Sequence, residues 1–158
     1  MGKNEFVTKE GLIKLREELK KLETLDRHNI SKKIAEARDK GDLSENSEYD
    51  AAKEAQGLME MRISRLKEII ANARIIDSAT IDTTKVSILS TVKIRNITQG
   101  ISQSYTLVPD IESDLSVGKI SVNTPIAQGL LGKKVGEITH ISLPNGNKLS
   151  LEILKIYF

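Results

Sequence analysis

Two runs of apolar residues, spaced three and four apart, constrain this chain more than any other feature in it. Leu12, Leu15, Leu19 and Leu22 step by 3, 4 and 3; Asp26 and Asn29 then interrupt, and the pattern resumes at Ile30, Ile34 and Ala37. A second run, Tyr49, Ala52, Gln56, Met59, Ile63, Leu66, Ile70 and Ala73, steps by 3, 4, 3, 4, 3, 4 and 3. Such spacing draws one stripe along a helix and turns it toward a partner helix. Gly41 lies between the runs, where glycine ends a helix. Folding the chain back there sets Leu12 against Ala73, Leu15 against Ile70, Leu19 against Leu66 and Leu22 against Ile63, residue numbers that each sum to 85. Nearer the turn, Ile34 faces Ala52 and Ala37 faces Tyr49, and the sum becomes 86. Constant sums require antiparallel pairing. The first half therefore predicts an antiparallel two-helix coiled coil with arms of roughly 29 residues, about 43 Å long. Thr8 is placed to cap the first helix, and the thinning of the seam to Ala and polar residues predicts a slim tip.

The period changes in the second half. Val92 and Ile94 alternate with Lys93 and Arg95, the pattern of a half-buried strand, and Tyr105 and Leu107 with their neighbours read alike. Ile120-Ser121-Val122 predicts a short strand. Thr124 before Pro125 is normal helix-start chemistry and opens a short helix to Leu131. Ile138 to Leu143 and Lys148 to Phe158 predict two strands joined by the turn Pro144-Asn145-Gly146-Asn147. The expected fold class is α+β in two domains. Residues 1–77 form the hairpin with its tip at 41–49, residues 78–84 link, and residues 85–158 form an antiparallel sheet with one short helix.

Composition narrows the function. With 3% aromatic residues and no Trp, a single large core is not expected. There is no Cys, which excludes disulfides and thiolate metal sites. No apolar run approaches the roughly 20 residues needed to span a bilayer, and no signal peptide is visible; a soluble cytoplasmic protein with no membrane partner is expected. Residues 1–77 carry 16 basic and 16 acidic side chains, and the rest 8 and 6, so neither half is a strong electrostatic magnet. His28 and His140 have no ligand partners in sequence and read as incidental.

The turn itself, Gly41-Asp42-Leu43-Ser44-Glu45-Asn46-Ser47-Glu48-Tyr49, places carboxylates at Asp42, Glu45 and Glu48. Two readings fit that spacing. Hard divalent cations are held by carboxylate oxygens together with water and phosphate, so a thin rod could carry these groups to a phosphate inside another molecule. Alternatively, Asp42 and Glu45 have capping-box spacing and would simply start the second helix. Periodicity alone equally allows a coiled-coil spacer.

That nine-residue turn resembles the tip motif of the bacterial Gre transcript-cleavage factors, the GreA type in particular. Ile34-Ala35-Glu36-Ala37-Arg38, Ala51-Ala52-Lys53-Glu54, Ile120 to Ala127 and Gly129-Leu130-Leu131-Gly132-Lys133 resemble the same family in the same order, so the likeness covers nearly the whole chain. The resemblance implies an FKBP-like second domain and a transcription elongation factor that enters the secondary channel of RNA polymerase. It implies stimulated cleavage of the 3′ RNA in backtracked complexes, without enzymatic activity of the chain's own. Asp42 and Glu45 match the essential acidic pair. They would hold Mg²⁺ shared with the polymerase active site; free, the protein needs no cofactor. Ser44, Asn46, Glu48 and Tyr49 would support the tip, Arg38 and Lys53 would lie near RNA, and Asn123, Thr124 and Pro125 would dock on the polymerase. Lys53 departs from the family's common Arg, which weakens planar phosphate contact. The implied partners are the elongation complex, the nascent RNA 3′ end and DNA within that complex, with the factor a monomer. An altered tip would instead mark a channel-binding inhibitor on the same architecture, and a structural adaptor would tolerate a neutral one.

Overall fold

The computed structural model describes residues 5–41 and 46–158. They divide into two compact units, the first ending at Ile75 and the second beginning at Ile76.

In the first unit, β1 (Glu5–Val7) leads into α1 (Lys9–Lys21), a π-helical segment (Leu22–Asp26) and α2 (Arg27–Asp39). After the turn, α3 (Ser47–Ala71) runs back and ends in β2 (Ala73–Ile75). Thr8 caps α1, its hydroxyl accepting from Gly11 N at 2.9 Å. Leu12, Leu15, Ile63 and Leu66 are buried along the seam, as are Ile34, Ala37 and Ala52 toward the tip. Antiparallel pairing is written in the ion pairs that cross between the arms. Arg62 makes a two-pronged contact with Glu18 at 2.8 and 3.0 Å, and Arg27 does the same with Glu60 at 2.8 and 2.9 Å. These pairs are substantially exposed, so they specify register more than they add stability.

The π segment explains why the residue-number sum moves from 85 to 86. In a continuous heptad, Leu22 would be followed on the seam at positions 26 and 29; the seam in fact resumes one residue late, at Ile30. One surplus residue in an α-helix would swing everything beyond it by about 100°. A turn of i→i+5 bonding absorbs the residue without that rotation. Arg27 N correspondingly donates to Leu22 O, and the Thr24 hydroxyl bonds back to Lys20 O at 2.7 Å.

The base departs from the heptad. Ala73 lies in β2 and not in the helix, and Ile69 is buried while Ile70 is only half-buried. The unit also holds a parallel two-stranded ribbon, with Glu5, Phe6 and Val7 in register with Ala73, Arg74 and Ile75. Its Val7 is fully buried.

The second unit is a five-stranded sheet of order β5-β4-β3-β7-β6: β3 is Thr91–Asn96, β4 Ser102–Val108, β5 Lys119–Ser121, β6 Ile138–Ser142 and β7 Lys148–Tyr157. A short helix, α4 (Pro125–Leu130), packs on it. Val92 and Ile94 are buried and Lys93 and Arg95 exposed, as their alternation requires. Val86, Leu107, Ile120, Ala127, Leu130, Ile141, Leu151 and Ile153 complete the core. The sheet is mixed and not wholly antiparallel, because β4 and β5 pair in parallel. Residues 109–118, with two 3₁₀ turns, carry the chain back to the starting end of β4, the crossover that parallel pairing needs.

Candidate functional site at the hairpin turn

The first arm stops at Asp39. Lys40 is its C-cap, and Gly41 takes φ +135°, a backbone that side-chain-bearing residues avoid. Asp42, Leu43, Ser44 and Glu45 lie outside the described residues. The chain resumes at Asn46, in extended conformation, whose side-chain oxygen accepts from Tyr49 N at 3.0 Å. Asn46 is therefore the N-cap of α3. The capping-box reading of Asp42 and Glu45 falls on residues outside those described.

The Asn46 amide also reaches the other arm, where its Nδ2 donates to the carbonyl of Ala37. Beside it, Lys40 Nζ lies 2.9 Å from Glu48 Oε2. That hydrogen bond, reinforced by the charge of Glu48, holds the Lys40 ammonium above its usual pKa. Glu48 and Asp50 occupy the first turn of α3, where negative charge suits the helix dipole. Tyr49 is half-buried on the seam, as its heptad position predicts. Behind the tip the arms are thin: Ala37, Ala51, Ala52 and Ala55, with Ile30, line an open groove between them. Lys40 and the cross-arm role of Asn46 are invisible to periodicity. The one available signal is opposite charges at 40 and 48 flanking the predicted turn.

Arg38 and Lys53 are both exposed, and Lys53 Nζ donates to Gln56 Oε1 at 3.0 Å. Among the described residues, no three His, Cys, Asp or Glu side chains gather into a metal-ligand set, and no helix is long and apolar enough to cross a membrane. In the second unit, Thr124 caps α4 by accepting from Ala127 N at 3.3 Å, and its hydroxyl donates to Ser121 O at 2.8 Å. Asn123 N donates to Ser121 Oγ at 3.1 Å. These bonds fix the backbone and leave Asn123 and Pro125 exposed at the helix start.

A long antiparallel helical hairpin and a small sheet unit with one short helix define a two-domain α+β protein, with acidic residues at the hairpin turn in the sequence. Two family models divide the chain between them: "Transcription elongation factor, N-terminal" matches residues 5–75, and "Transcription elongation factor, GreA/GreB, C-term" matches residues 81–158. The chain belongs to the GreA/GreB family of transcription elongation factors. Relatives named Transcription elongation factor GreA share 57% identity in Flavobacterium johnsoniae, over 99% of this chain and 98% of the relative, and 54% in Christiangramia forsetii, over 99% of each. The relative in Amoebophilus asiaticus is 51% identical over the full length of both chains. A solved structure of the transcription factor Gfh1 aligns over all of both chains at 23% identity with a TM-score of 0.49, too loose a likeness to carry an inference.

Proposed function

We propose that this elongation factor inserts its hairpin into the secondary channel of RNA polymerase and stimulates hydrolysis of the displaced 3′ RNA in backtracked complexes, so that elongation resumes. The observation that carries the reading is the hairpin. Its second arm alone, 25 residues, spans about 37 Å, and Asp42 and Glu45 sit in the sequence at its turn. Two carboxylates are too few to enclose a cation, and they suit a Mg²⁺ shared with the polymerase active site. Asp42 and Glu45 would hold and orient that Mg²⁺, which would supply Lewis-acid activation of a water and of the phosphoryl group; the chain itself forms no covalent bond to RNA and is not an enzyme on its own. Arg38 and Lys53, exposed on the arms behind the tip, supply positive charge near the nascent RNA. Asn123, Thr124 and Pro125 dock the second unit on the polymerase. The factor acts as a cytoplasmic monomer, in contact with RNA and with DNA only inside the complex.

The test is RNA cleavage in a stalled, backtracked elongation complex at fixed Mg²⁺. Wild type should release a 3′ fragment. The Asp42→Ala, Glu45→Ala double variant should bind polymerase and release none. Pro125→Ala should raise the concentration needed for half-maximal cleavage. Full cleavage by the double tip variant would refute the mechanism, and binding with inhibition by both proteins would instead mark a channel inhibitor.

A further inference from the structure

The geometry points to the open face of the second unit's sheet as a binding surface for single-stranded RNA, centred on Lys93, Lys155 and Tyr157. Val92 and Ile94 point into the core, so Lys93 and Arg95 point to the opposite side. Register carries that side across the sheet. Lys93 stands opposite Lys155 on β7 and Ser104 on β4, and Thr91 stands opposite Tyr157 and Thr106. Of the eight basic side chains of residues 78–158, five fall on this face: Lys93, Arg95, Lys119, Lys148 and Lys155. Of the six acidic ones, Glu152 alone stands on its strands. A nearly neutral unit thus carries its positive charge on one side.

Two lysines on this face stand where repulsion is strongest. Like charges directly opposite on neighbouring strands destabilise a sheet, their Cβ atoms being only about 4.5–5.5 Å apart. Lys93 and Lys155 are such a pair, both exposed, and neither has a carboxylate partner among the described residues. A bulge creates the juxtaposition. Pairing with β3 passes from Lys155 to Ile153 and leaves Leu154 over. Leu151 and Ile153 are buried, and the next residue of β7 to pack on the core is Ile156. In unbroken alternation Lys155 would point into the core; the extra residue turns it outward, with Tyr157 beside it. Lys155 Nζ then sits 4.8 Å from the centroid of the Tyr157 ring. This chemistry fits a phosphodiester chain. A phosphate lodged between Lys93 and Lys155 relieves their repulsion, and Ser104 supplies the kind of hydroxyl that phosphate contacts use. The exposed Tyr157 ring offers a stacking surface to an unpaired base. A duplex hides its base faces and an acidic peptide has none, so neither makes use of that ring.

RNA binding by the free protein does not depend on the cleavage reading, so the full-length chain alone is the reagent. It is titrated into fluorescein-labelled oligouridylate, and anisotropy is read over a series of KCl concentrations. Wild type should bind, and more weakly as salt rises. Lys93→Gln with Lys155→Gln should lower the slope of log affinity against log salt by about 1.4, two phosphate contacts at about 0.7 each. Tyr157→Ala should weaken binding about fivefold or more. Arg95 is held by Glu152 at 3.0 Å, and Glu152→Gln, which releases it, should tighten binding about twofold or more. A damaged fold cannot mimic that gain, so the test survives a lysine variant that folds poorly. Arg38→Gln with Lys53→Gln, on the hairpin, should leave the contribution of the sheet face in place. Absence of RNA binding overturns the inference, as does a wild-type salt slope in the lysine variant. Loss of all binding in the hairpin variant also overturns it, because the arms would then hold the RNA alone. Tighter binding to duplex DNA, or equal competition by polyglutamate, does the same by assigning the face to another partner.

Discussion

Gly129→Ala offers the sharpest test of how the second unit holds its exposed helix start. Gly129 lies in α4 against the sheet, and its carbonyl accepts from the Thr139 hydroxyl at 2.9 Å. A Cβ built on Gly129 would stand 2.5 Å from Ile141 Cγ1 and 2.8 Å from its Cδ1. Ile141 is buried in the main cluster, so it has little freedom to turn aside. Overpacking a filled core costs about 1–3 kcal/mol. Replacing a helical glycine by alanine returns up to about 1 kcal/mol through propensity and unfolded-state entropy. At so short a distance the steric cost should win, with a net loss of about 1–2 kcal/mol. For a domain of this size that corresponds to a fall in Tm of about 4–16 °C, readable by scanning calorimetry of the full chain. The mechanism carries its own control in Ile141→Ala, which removes both Cγ1 and Cδ1 and by itself costs about 2–5 kcal/mol. If the clash is real, the double variant should lose less than the two single losses combined, by at least about 0.5 kcal/mol. A rise in Tm for Gly129→Ala, or strict additivity of the pair, would refute the reasoning. Under the docking role proposed for Pro125, the same substitution should also weaken polymerase binding.

Deleting Thr24 should close the π segment into α-helix and align Leu22 and Ile30 in one heptad, leaving a cooperative melt close to wild type. Deleting Ala35, in regular helix, should rotate the seam beyond it and lower helicity measured by circular dichroism; equal damage from both deletions would contradict the insertion. The Glu60 carboxyl is held below its usual range chiefly by its hydrogen bond from Arg27. A depressed carboxylate stabilises the fold above its unfolded pKa, near 4.3, and that contribution is lost as pH falls through the folded value. Thermal melts should therefore show Tm falling below about pH 5, less steeply in Glu60→Gln; identical slopes would dismiss the linkage. Leu66→Ala, at a fully buried seam position, should destabilise the hairpin by about 2–5 kcal/mol, measured by urea denaturation.

Several features of this protein are local in origin, and sequence alone determined them. Hairpin pairing follows from stripes of apolar residues, because helical periodicity is a property of neighbours along the chain. Thr8, Thr124 and Pro125 mark helix starts because capping reaches only three residues ahead. Even the surplus residue was legible, as a sum that slipped from 85 to 86, although its resolution as a π turn was not. Tertiary structure decided the rest. The β1–β2 ribbon joins residues almost seventy positions apart, and three-residue strands carry too little pattern to announce such a partner. Ile69 is buried where the heptad places Ile70. Likewise β5 lies parallel to β4 through the path of residues 109–118, which no alternation encodes. At the turn, the motif drew attention to Asp42 and Glu45, but only the folded hairpin brings the Asn46 amide to Ala37. A side chain can bridge two helix ends only after packing has set those ends side by side.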